Sequence, residues 1–304
     1  MRESALSGPL GQGGRLIGRI GDDRPPSRRS YRDNGRMKRT PFADLDNTPA
    51  DLHTMLFAML QAMGRHPEIQ RVRRVAVDGL RPAPGQRLLD AGTGTGTMAR
   101  QLAAKVTETG EVVALDFSGT FLAGARAGHD GSPVRYVRGD VSALDYGDDT
   151  FDGVWCERVL QHVPNADAAI AELVRVTRPG GRICLIDTDW QSLVFDGAPV
   201  DLTTAVLDLV RAKLPAFSNA MGRTLRRRLV RAGLGMVETT PVTCYFGDPA
   251  SASVVLPMLN PAAPRDAFMP GDDIFDQWLA EVEQAGRRGE FLAALTLWVA
   301  VGTV

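Results

Sequence analysis

The sequence is poor in the residues that most often build covalent or metal-bound frameworks. It has 3 cysteines and 4 histidines among 304 residues. Cys156, Cys184 and Cys244 lie far apart without metal-ligand spacing, so we expect a reduced interior with neither a disulfide scaffold nor a metal site. No apolar run approaches the roughly 18 residues that a membrane-spanning helix needs. The N-terminus has Arg and Gly where a signal peptide needs an apolar stretch. A cytoplasmic protein without a membrane partner is therefore expected.

Lysine is also scarce, and the charge is unevenly distributed. Of 35 basic residues only three are lysine, and the net charge is -1. Residues 1–40 hold 10 basic against 4 acidic residues (+6), and the remainder holds 25 against 32 (−7). Because an acidic body binds phosphate backbones poorly, no nucleic-acid partner is expected.

Residues 1–36 are rich in Gly, Pro, Ser and Arg and have no apolar period. They are predicted to form a disordered basic tail. A nucleic-acid-binding arm and an Arg-rich transit segment are two functional options, although four acids weaken the second. A third option is that translation begins at Met37. A solvated or artefactual tail is the favoured interpretation.

Residues 37–80 show a helical pattern, because apolar residues such as Leu52, Leu56 and Met59 recur at three- and four-residue spacings. A break is expected at Gly64–Pro67. The segment is predicted as an N-terminal helical lid. It either packs over the strand edges or closes over a site and brings an arginine to a carboxylate.

From residue 81 to residue 304, short apolar strands alternate with helix-forming segments. This pattern predicts a doubly wound parallel α/β sheet, whose ligands lie beyond the carboxyl ends of the strands. The predicted strands are 88–90, 111–116, 134–138, 151–156 and 181–187, with helices at 97–106, 118–127 and 165–177.

Acids stand at the ends of four of these strands: Asp90, Asp116, Asp140 and Asp187. One alone would be read as a helix cap or a solvated strand end, but four along one rim predict a ligand-binding edge. Asp90 is followed by a turn with glycine at every second position, Gly92–Gly96. Such a turn lets a backbone approach a ligand closely, and the next helix presents free N–H groups.

The acid followed by Gly-x-Gly-x-Gly resembles motif I of class I S-adenosylmethionine (SAM)-dependent methyltransferases, rather than the Gly-x-Gly-x-x-Gly of dinucleotide sites. Asp149–Asn165 is similar to the D-x-x-F-D … V-L-x-H-V block of the small-molecule members, and Leu173–Arg182 to their Pro-Gly-Gly turn. The resemblance covers about residues 70–190, and the ubiquinone/menaquinone-type and natural-product O-methyltransferases are nearest in style. No Asn/Asp-Pro-Pro-Tyr/Phe motif follows the fourth strand, which argues against the amino-group methylases of DNA, glutamine and RNA adenine.

The resemblance implies a Rossmann-like doubly wound sheet of seven strands, mostly parallel with an antiparallel last strand. Residues 237–246 and 295–304 are the expected last two strands. The SAM-binding domain would occupy residues 81–304, with a cap insertion at about 190–275 acting as a lid.

The resemblance also implies SAM as the cofactor. The glycine loop would hold its methionine and ribose parts, Asp116 the ribose hydroxyls and Asp140 the adenine amine. By their positions in the family's motifs, Phe117 would flank the adenine, and Glu157 would face the methionine end through its backbone. The full predicted set is Asp90, Gly92, Thr93, Gly94, Gly96, Asp116, Phe117, Gly139, Asp140, Val141 and Glu157.

His162 is the candidate general base, because an imidazole titrates near neutral pH and this residue follows the fourth strand. In sugar-methylating relatives, a histidine in this block and an acid ending the fifth strand serve the acceptor hydroxyl. Asp187 is therefore the second catalytic candidate. The alternative for His162 is packing against SAM or capping a helix.

Three further residues are candidates for contact with the substrate. Arg158 would contact the substrate or form an ion pair with Glu157, and the ion pair is favoured. Asp189 is a candidate because it follows Asp187 closely. Trp190 would either contact the sulfonium of SAM by cation–π attraction or pack in the core.

The predicted function is methyl transfer from SAM to a small molecule, at a hydroxyl of a secondary metabolite or quinone-like compound. Alternatives are a carbon or nitrogen acceptor, and a methyltransferase-fold cyclase or hydrolase that holds SAM without using its methyl group. A non-enzymatic nucleic-acid binder using the tail and the arginine-rich helix 222–231 is the remaining competitor. The sequence does not determine the oligomeric state, and a homodimer is one option.

Overall fold

The computed structural model describes residue 46 and residues 49–214, 219–263 and 273–304. The predicted tail, 1–36, lies outside these residues. Within them, seven strands form one sheet in the order β3-β2-β1-β4-β5-β7-β6. The strands are β1 Arg87–Ala91, β2 Glu111–Asp116, β3 Val134–Arg138, β4 Phe151–Glu157, β5 Thr177–Asp196, β6 Gly235–Phe246 and β7 Leu292–Thr303.

Strands β1 to β5 pair in parallel, and β7 runs antiparallel to both of its neighbours, β5 and β6. The predicted sheet, mostly parallel with an antiparallel last strand, is confirmed. Its central strands are continuous apolar runs because helices cover both faces, as in β2, where Val112–Leu115 are all buried.

The helices are α1 Ala50–Arg65, α2 Pro67–Leu80, α3 Thr97–Val106, α4 Gly119–Ala127, α5 Ala166–Arg175, α6 Val200–Lys213, α7 Met221–Arg231, α8 Pro249–Val255 and α9 Asp273–Arg288. Helices α2 and α3 contribute to the core on one face of the sheet, and α5 and α7 to the core on the other. The predicted break between α1 and α2 occurs at His66, whose extended backbone precedes Pro67 at the first position of α2.

Strand β5 is longer than the sequence predicts, because it continues past residue 187 to Asp196. Its extension pairs with β7 from Val194 to Asp196, after a bulge that begins at Asp189. The partner strand lies about a hundred residues away, so no local pattern marks the extension.

The segment 190–275, predicted as a cap insertion, is divided between the sheet layers and a smaller cap. Helix α7 and strand β6 belong to the sheet layers, since α7 packs on β5 and β6 pairs with β7. Helix α9 contacts both α6 and α8, and it carries the fully buried Phe275 and Trp278. Among the described residues, no helix has both the length and the apolar character to cross a bilayer.

Candidate active site

The glycine turn after β1 is shaped by three left-handed glycines. Gly92, Gly94 and Gly96 have φ of 80, 54 and 69°, angles that a residue with a Cβ adopts only at a cost. A Cβ on Gly92 would overlap the side chain of Val159, whereas a Cβ on Gly94 would meet only Leu60 Cδ1, at 3.8 Å. Gly92 is thus required for packing, and Gly94 is the position where the backbone is open to a ligand.

Asp116 closes the second strand and faces this turn. Its carboxylate accepts a hydrogen bond from the Gly94 N–H at 2.7 Å and one from the Ser118 N–H at 2.9 Å. Burial raises the pKa of Asp116, and the nearby charge of Asp46 adds to the increase. The structure therefore brings together the glycine turn and the strand-two acid, as the sequence predicts.

Asp90 is buried beneath the turn. Its carboxylate accepts a hydrogen bond from the Thr93 hydroxyl at 2.6 Å. Burial raises its pKa to about 7, the Thr93 bond opposes the shift, and the negative charge of Glu157 adds to it. The hydrogen bond between Thr93 and the buried Asp90 therefore stabilises the turn.

The predicted adenine subsite lies at the ends of β2 and β3. Phe117 is 54% exposed, unlike most large apolar side chains of the sheet. Gly139 donates its N–H to the carbonyl of Asp116 at 3.0 Å, which holds the two strand ends together. Asp140 is exposed and accepts from the Ser142 N–H at 2.7 Å, and Val141 is buried.

Glu157, at the end of β4, uses its side chain in a buried ion-pair cluster. Arg73 of α2 donates to both of its carboxylate oxygens, at 2.9 and 3.2 Å, and Arg158 lies 3.2 Å from Oε1. Burial alone would raise the pKa of Glu157, but the two arginines outweigh it and hold that pKa below its ordinary value. The favoured prediction of an Arg158–Glu157 pair is confirmed.

His162 lies at the end of a short 3-10 turn, Leu160–His162, that follows β4. Burial lowers its pKa to about 4, and the positive charge of Arg158 contributes to the shift. The imidazole is therefore neutral at pH 7, which is the form that accepts a proton, but it is a weaker base than an ordinary histidine.

Asp187 is fully buried at the point of β5 nearest this turn. Its carboxylate accepts the N–H of Gln161 at 3.1 Å and that of Thr188 at 2.9 Å. Burial raises its pKa to about 7, although these bonds oppose the shift. In the structure Asp187 anchors the turn that bears His162, and its catalytic role remains a prediction.

Asp189 and Trp190 begin the bulge of β5. Asp189 accepts from Arg223 Nε at 2.5 Å and from Trp298 Nε1 at 3.3 Å. Trp190 donates its indole N–H to Gln161 Oε1 at 2.9 Å. Both residues therefore fix the acceptor side of the rim, and their contact with a substrate remains a prediction.

Two site residues were missed by the sequence analysis. Asp46 accepts from the Ser118 hydroxyl at 2.7 Å and from Arg138 at 2.8 Å, so it fixes the start of α4 beside Phe117. Arg73 was one of several arginines in the segment that forms α2. The available signal was its position four residues after Ile69 and three before Ala76, on the apolar face of the helix, because a charged residue on that face needs a buried partner.

A methyltransferase-domain family profile matches residues 89–185, which span β1 to β5. The chain is 38% identical over 122 residues to a demethylmenaquinone methyltransferase of Renibacterium salmoninarum, covering 40% of this chain and 48% of that protein. It is 33% identical over 232 residues to an uncharacterized 37.1 kDa protein of a Streptomyces fradiae transposon, covering 75% of this chain and 66% of that protein. A putative methyltransferase structure from Bacillus halodurans has the same fold, with a TM-score of 0.51 and 21% identity over 77% of this chain and 97% of that one.

The chain contains a methyltransferase domain at residues 89–185 and has the fold of the class I SAM-dependent methyltransferases. It matches about half to two thirds of the length of these two curated relatives. The cofactor of the family is SAM, which has an adenine ring, a ribose diol and an α-amino acid end.

The residues of this chain fit that molecule. The turn is open at Gly94, an aromatic face is exposed at Phe117, and the Asp116 carboxylate lies between them as an acceptor for hydroxyl groups. Asp90 and Glu157 near the ends of β1 and β4, Arg158 directly after β4 and Arg73 in the middle of α2 provide both signs of charge for an amino acid group. Within the described ranges, no cluster of His, Cys, Asp and Glu is arranged to hold a metal ion.

Proposed function

We propose that the protein transfers the methyl group of SAM to a hydroxyl group of a small, apolar, quinone-like or other secondary-metabolite acceptor. The observation that carries this proposal is the proximity of two features along one rim. A glycine turn with its acids lies at β1 and β2, and a histidine-bearing turn is anchored at β4 and β5.

When bound, SAM supplies a methyl group attached to a positively charged sulfur, an excellent leaving group. The chain's own residues bind and orient the reactants. Asp116 would hold the ribose, Phe117 and Asp140 the adenine, and the open backbone at Gly94 the region between ribose and methionine. Helix α1 covers the turn, since Leu60 lies over Gly94 and Phe57 packs against Gly124, and this cover excludes water from the site.

His162 would accept the proton of the acceptor hydroxyl at an imidazole nitrogen. Because its pKa is about 4, it is unprotonated throughout the neutral range but binds a proton weakly. Such a base suits an acidic hydroxyl, as in a phenol or a reduced quinone, better than an aliphatic alcohol.

A carbon acceptor is the second candidate, because the names of several relatives specify quinones. One is the demethylmenaquinone methyltransferase described above, and another is a 2-phytyl-1,4-naphtoquinone methyltransferase of Synechocystis, 36% identical over 48% of this chain and 60% of that protein. A ring carbon activated by neighbouring hydroxyls would depend less on proton abstraction by His162.

The test is release of S-adenosylhomocysteine (SAH) by the full chain with SAM and a panel of acceptors: a reduced naphthoquinone, a catechol and a long-chain aliphatic alcohol. We expect release with the first two and little with the third, and product NMR identifies the methylated atom. His162→Ala should lower turnover about 10²-fold if His162 is the base, while changing SAH affinity less than twofold.

His129→Ala is the matched control, because His129 is exposed on a loop far along the sheet, and it should leave turnover unchanged. Unchanged turnover in His162→Ala would remove His162 as the base. Conversion of an acceptor without release of SAH would favour the cyclase alternative over methyl transfer.

A further inference from the structure

Arg158 has an unfavourable backbone conformation. Its φ is 55°, in the left-handed region that only Gly, Asn and Asp adopt readily. The conformation is held by its N–H, which donates to the Ile186 carbonyl at 2.7 Å. Strained residues of this kind persist where the surrounding fold enforces them, and they cluster at ligand-binding sites.

Arg158 shares its main acidic partner with a second arginine. Glu157 is the ionised acid of the cluster, and it already receives two hydrogen bonds from Arg73. Arg158 therefore contributes only one contact to this carboxylate, through Nη2 at 3.2 Å.

The hydrogen-bond donors of Arg158 are also underused. Its Nε is buried without a hydrogen-bond partner among the described residues. Its Nη1 points at the thioether sulfur of Met63, a weak acceptor for a cation. Burial lowers the pKa of Arg158, as expected for a cation with too few compensating contacts. A buried guanidinium with an unpartnered donor is a site for an anionic oxygen.

The position of Arg158 places this site at the rim. The side chain is 16% exposed, so it is not sealed in the core. Its neighbour Val159 touches the glycine turn at Gly92, and Met63 lies in the last turn of the lid helix α1. Arg158 thus lies between the lid and the glycine turn.

We propose that Arg158 binds the carboxylate of a ligand, while Glu157 and Arg73 hold it in position. The planar guanidinium fork suits carboxylate geometry. The carboxylate belongs either to the amino acid end of the cofactor, in which case the inference rests on the proposed function, or to the acceptor.

Calorimetry with two ligands tests the cofactor source. SAH has the carboxylate, and its decarboxylated analogue S-adenosyl-3-thiopropylamine lacks only that group. We expect the wild-type protein to prefer SAH by at least about tenfold, as one charge-assisted hydrogen bond implies. In Arg158→Gln this preference should fall close to one, with little change in affinity for the analogue.

Three variants control for folding and charge. Arg158→Asn also removes the charge but tolerates the left-handed backbone, so it should show the same loss of preference with an unaltered melting temperature. Met63→Leu removes the thioether contact and should retain the preference. Arg227→Gln removes an exposed charge on α7 and should also retain it.

The acceptor source is tested with benzoate and benzamide as matched charged and neutral probes. With SAH saturating, benzoate but not benzamide should raise the melting temperature of the wild-type protein, and Arg158→Asn should abolish that rise. A preference for SAH that depends on Arg158 assigns the carboxylate to the cofactor, and a benzoate effect that depends on Arg158 assigns it to the acceptor. If neither depends on Arg158, the inference is wrong. Failure of the wild-type protein to bind SAH at all would contradict the proposed function, and the benzoate measurement without SAH would still test Arg158.

Discussion

The strand ends of β1 to β3, here called the cofactor half, and those of β4 and β5, the acceptor half, hold their polar side chains differently. In the cofactor half, Asp90 bonds to a residue three positions away, Asp140 to one two positions away, and Asp116 to residues two and 22 positions away. In the acceptor half, Asp187 bonds to the next residue and across 26 positions, and Asp189 bonds across 34 and 109 positions. These acids of the cofactor half thus bond to the turns that follow β1, β2 and β3, whereas Asp189 of the acceptor half depends on the packing of α7 and β7.

This difference has a consequence for function. Loops that carry their own hydrogen-bond partners can keep one ligand geometry while the rest of the chain changes. A rim built from α7, β7 and the bulge of β5 changes shape whenever those elements do. For this chain, our proposal therefore assigns cofactor binding to the cofactor half and choice of the acceptor to the acceptor half.

The largest expected effect lies at Gly92, where the two halves touch. Gly92→Ala would force a Cβ into the side chain of Val159 at a φ of 80°. Overpacking costs about 1–3 kcal/mol and the left-handed backbone about 1–2 kcal/mol, so urea unfolding should show a loss of about 4 kcal/mol in the free energy of unfolding.

Gly131→Ala is the matched control for that experiment. Gly131 has a φ of 85°, but no atom lies within 4 Å of the added Cβ. The Gly131→Ala variant should lose only the cost of the left-handed backbone, about 1–2 kcal/mol of unfolding free energy. Equal losses of unfolding free energy in the two variants would show that a Cβ at residue 92 does not clash with Val159.

The next largest effect concerns the cofactor half alone. Asp116→Ala removes the carboxylate that would accept the ribose hydroxyls. Two hydrogen bonds to a charged group are worth about 3 kcal/mol or more, so SAH affinity should fall at least about a hundredfold by calorimetry. Asp189→Ala, in the acceptor half, should leave SAH affinity unchanged. A similar loss in both variants would contradict the separation of the two halves.

The smallest effect concerns the acceptor half and is a pH dependence. A base must be unprotonated to act, so the rate falls as pH drops below its pKa. His162, with a pKa of about 4, predicts that kcat/KM stays level from pH 8 down to pH 5. Asp187, with a pKa of about 7, would instead produce a fall beginning near pH 7.

The measurement is the pH profile of kcat/KM for the wild-type protein and for Asp187→Asn. A level profile in both proteins supports His162. A fall near pH 7 that disappears in Asp187→Asn would assign the base to Asp187.

The sequence predicts the cofactor half well, because its signals are local. The strand, the acid and the alternating glycines are adjacent in the chain, and the five predicted strands all appear in the structure. The predicted cofactor residues on β1 to β3 lie along one rim, as expected. Their binding of SAM remains to be tested.

The acceptor half was less predictable. The extension of β5 depends on β7, and the anchoring of the His162 turn depends on Asp187 and Trp190 across the rim. The low pKa of His162 comes from burial and from Arg158, neither of which its sequence neighbours reveal. The side-chain role of Glu157 was missed because its partner Arg73 lies 84 positions earlier, in α2.

The central claim is that the acids and glycines at the ends of β1 and β2 form the binding site of an adenosyl cofactor. A crystal structure of the full chain with SAH tests it most directly. We predict density for the ribose within hydrogen-bond distance of the Asp116 carboxylate, for the adenine against Phe117 and for the chain beyond the ribose beside Gly94. Density for SAH elsewhere, or a turn that stays closed by the Asp116–Gly94 hydrogen bond with no ligand beside it at saturating SAH, would contradict the claim.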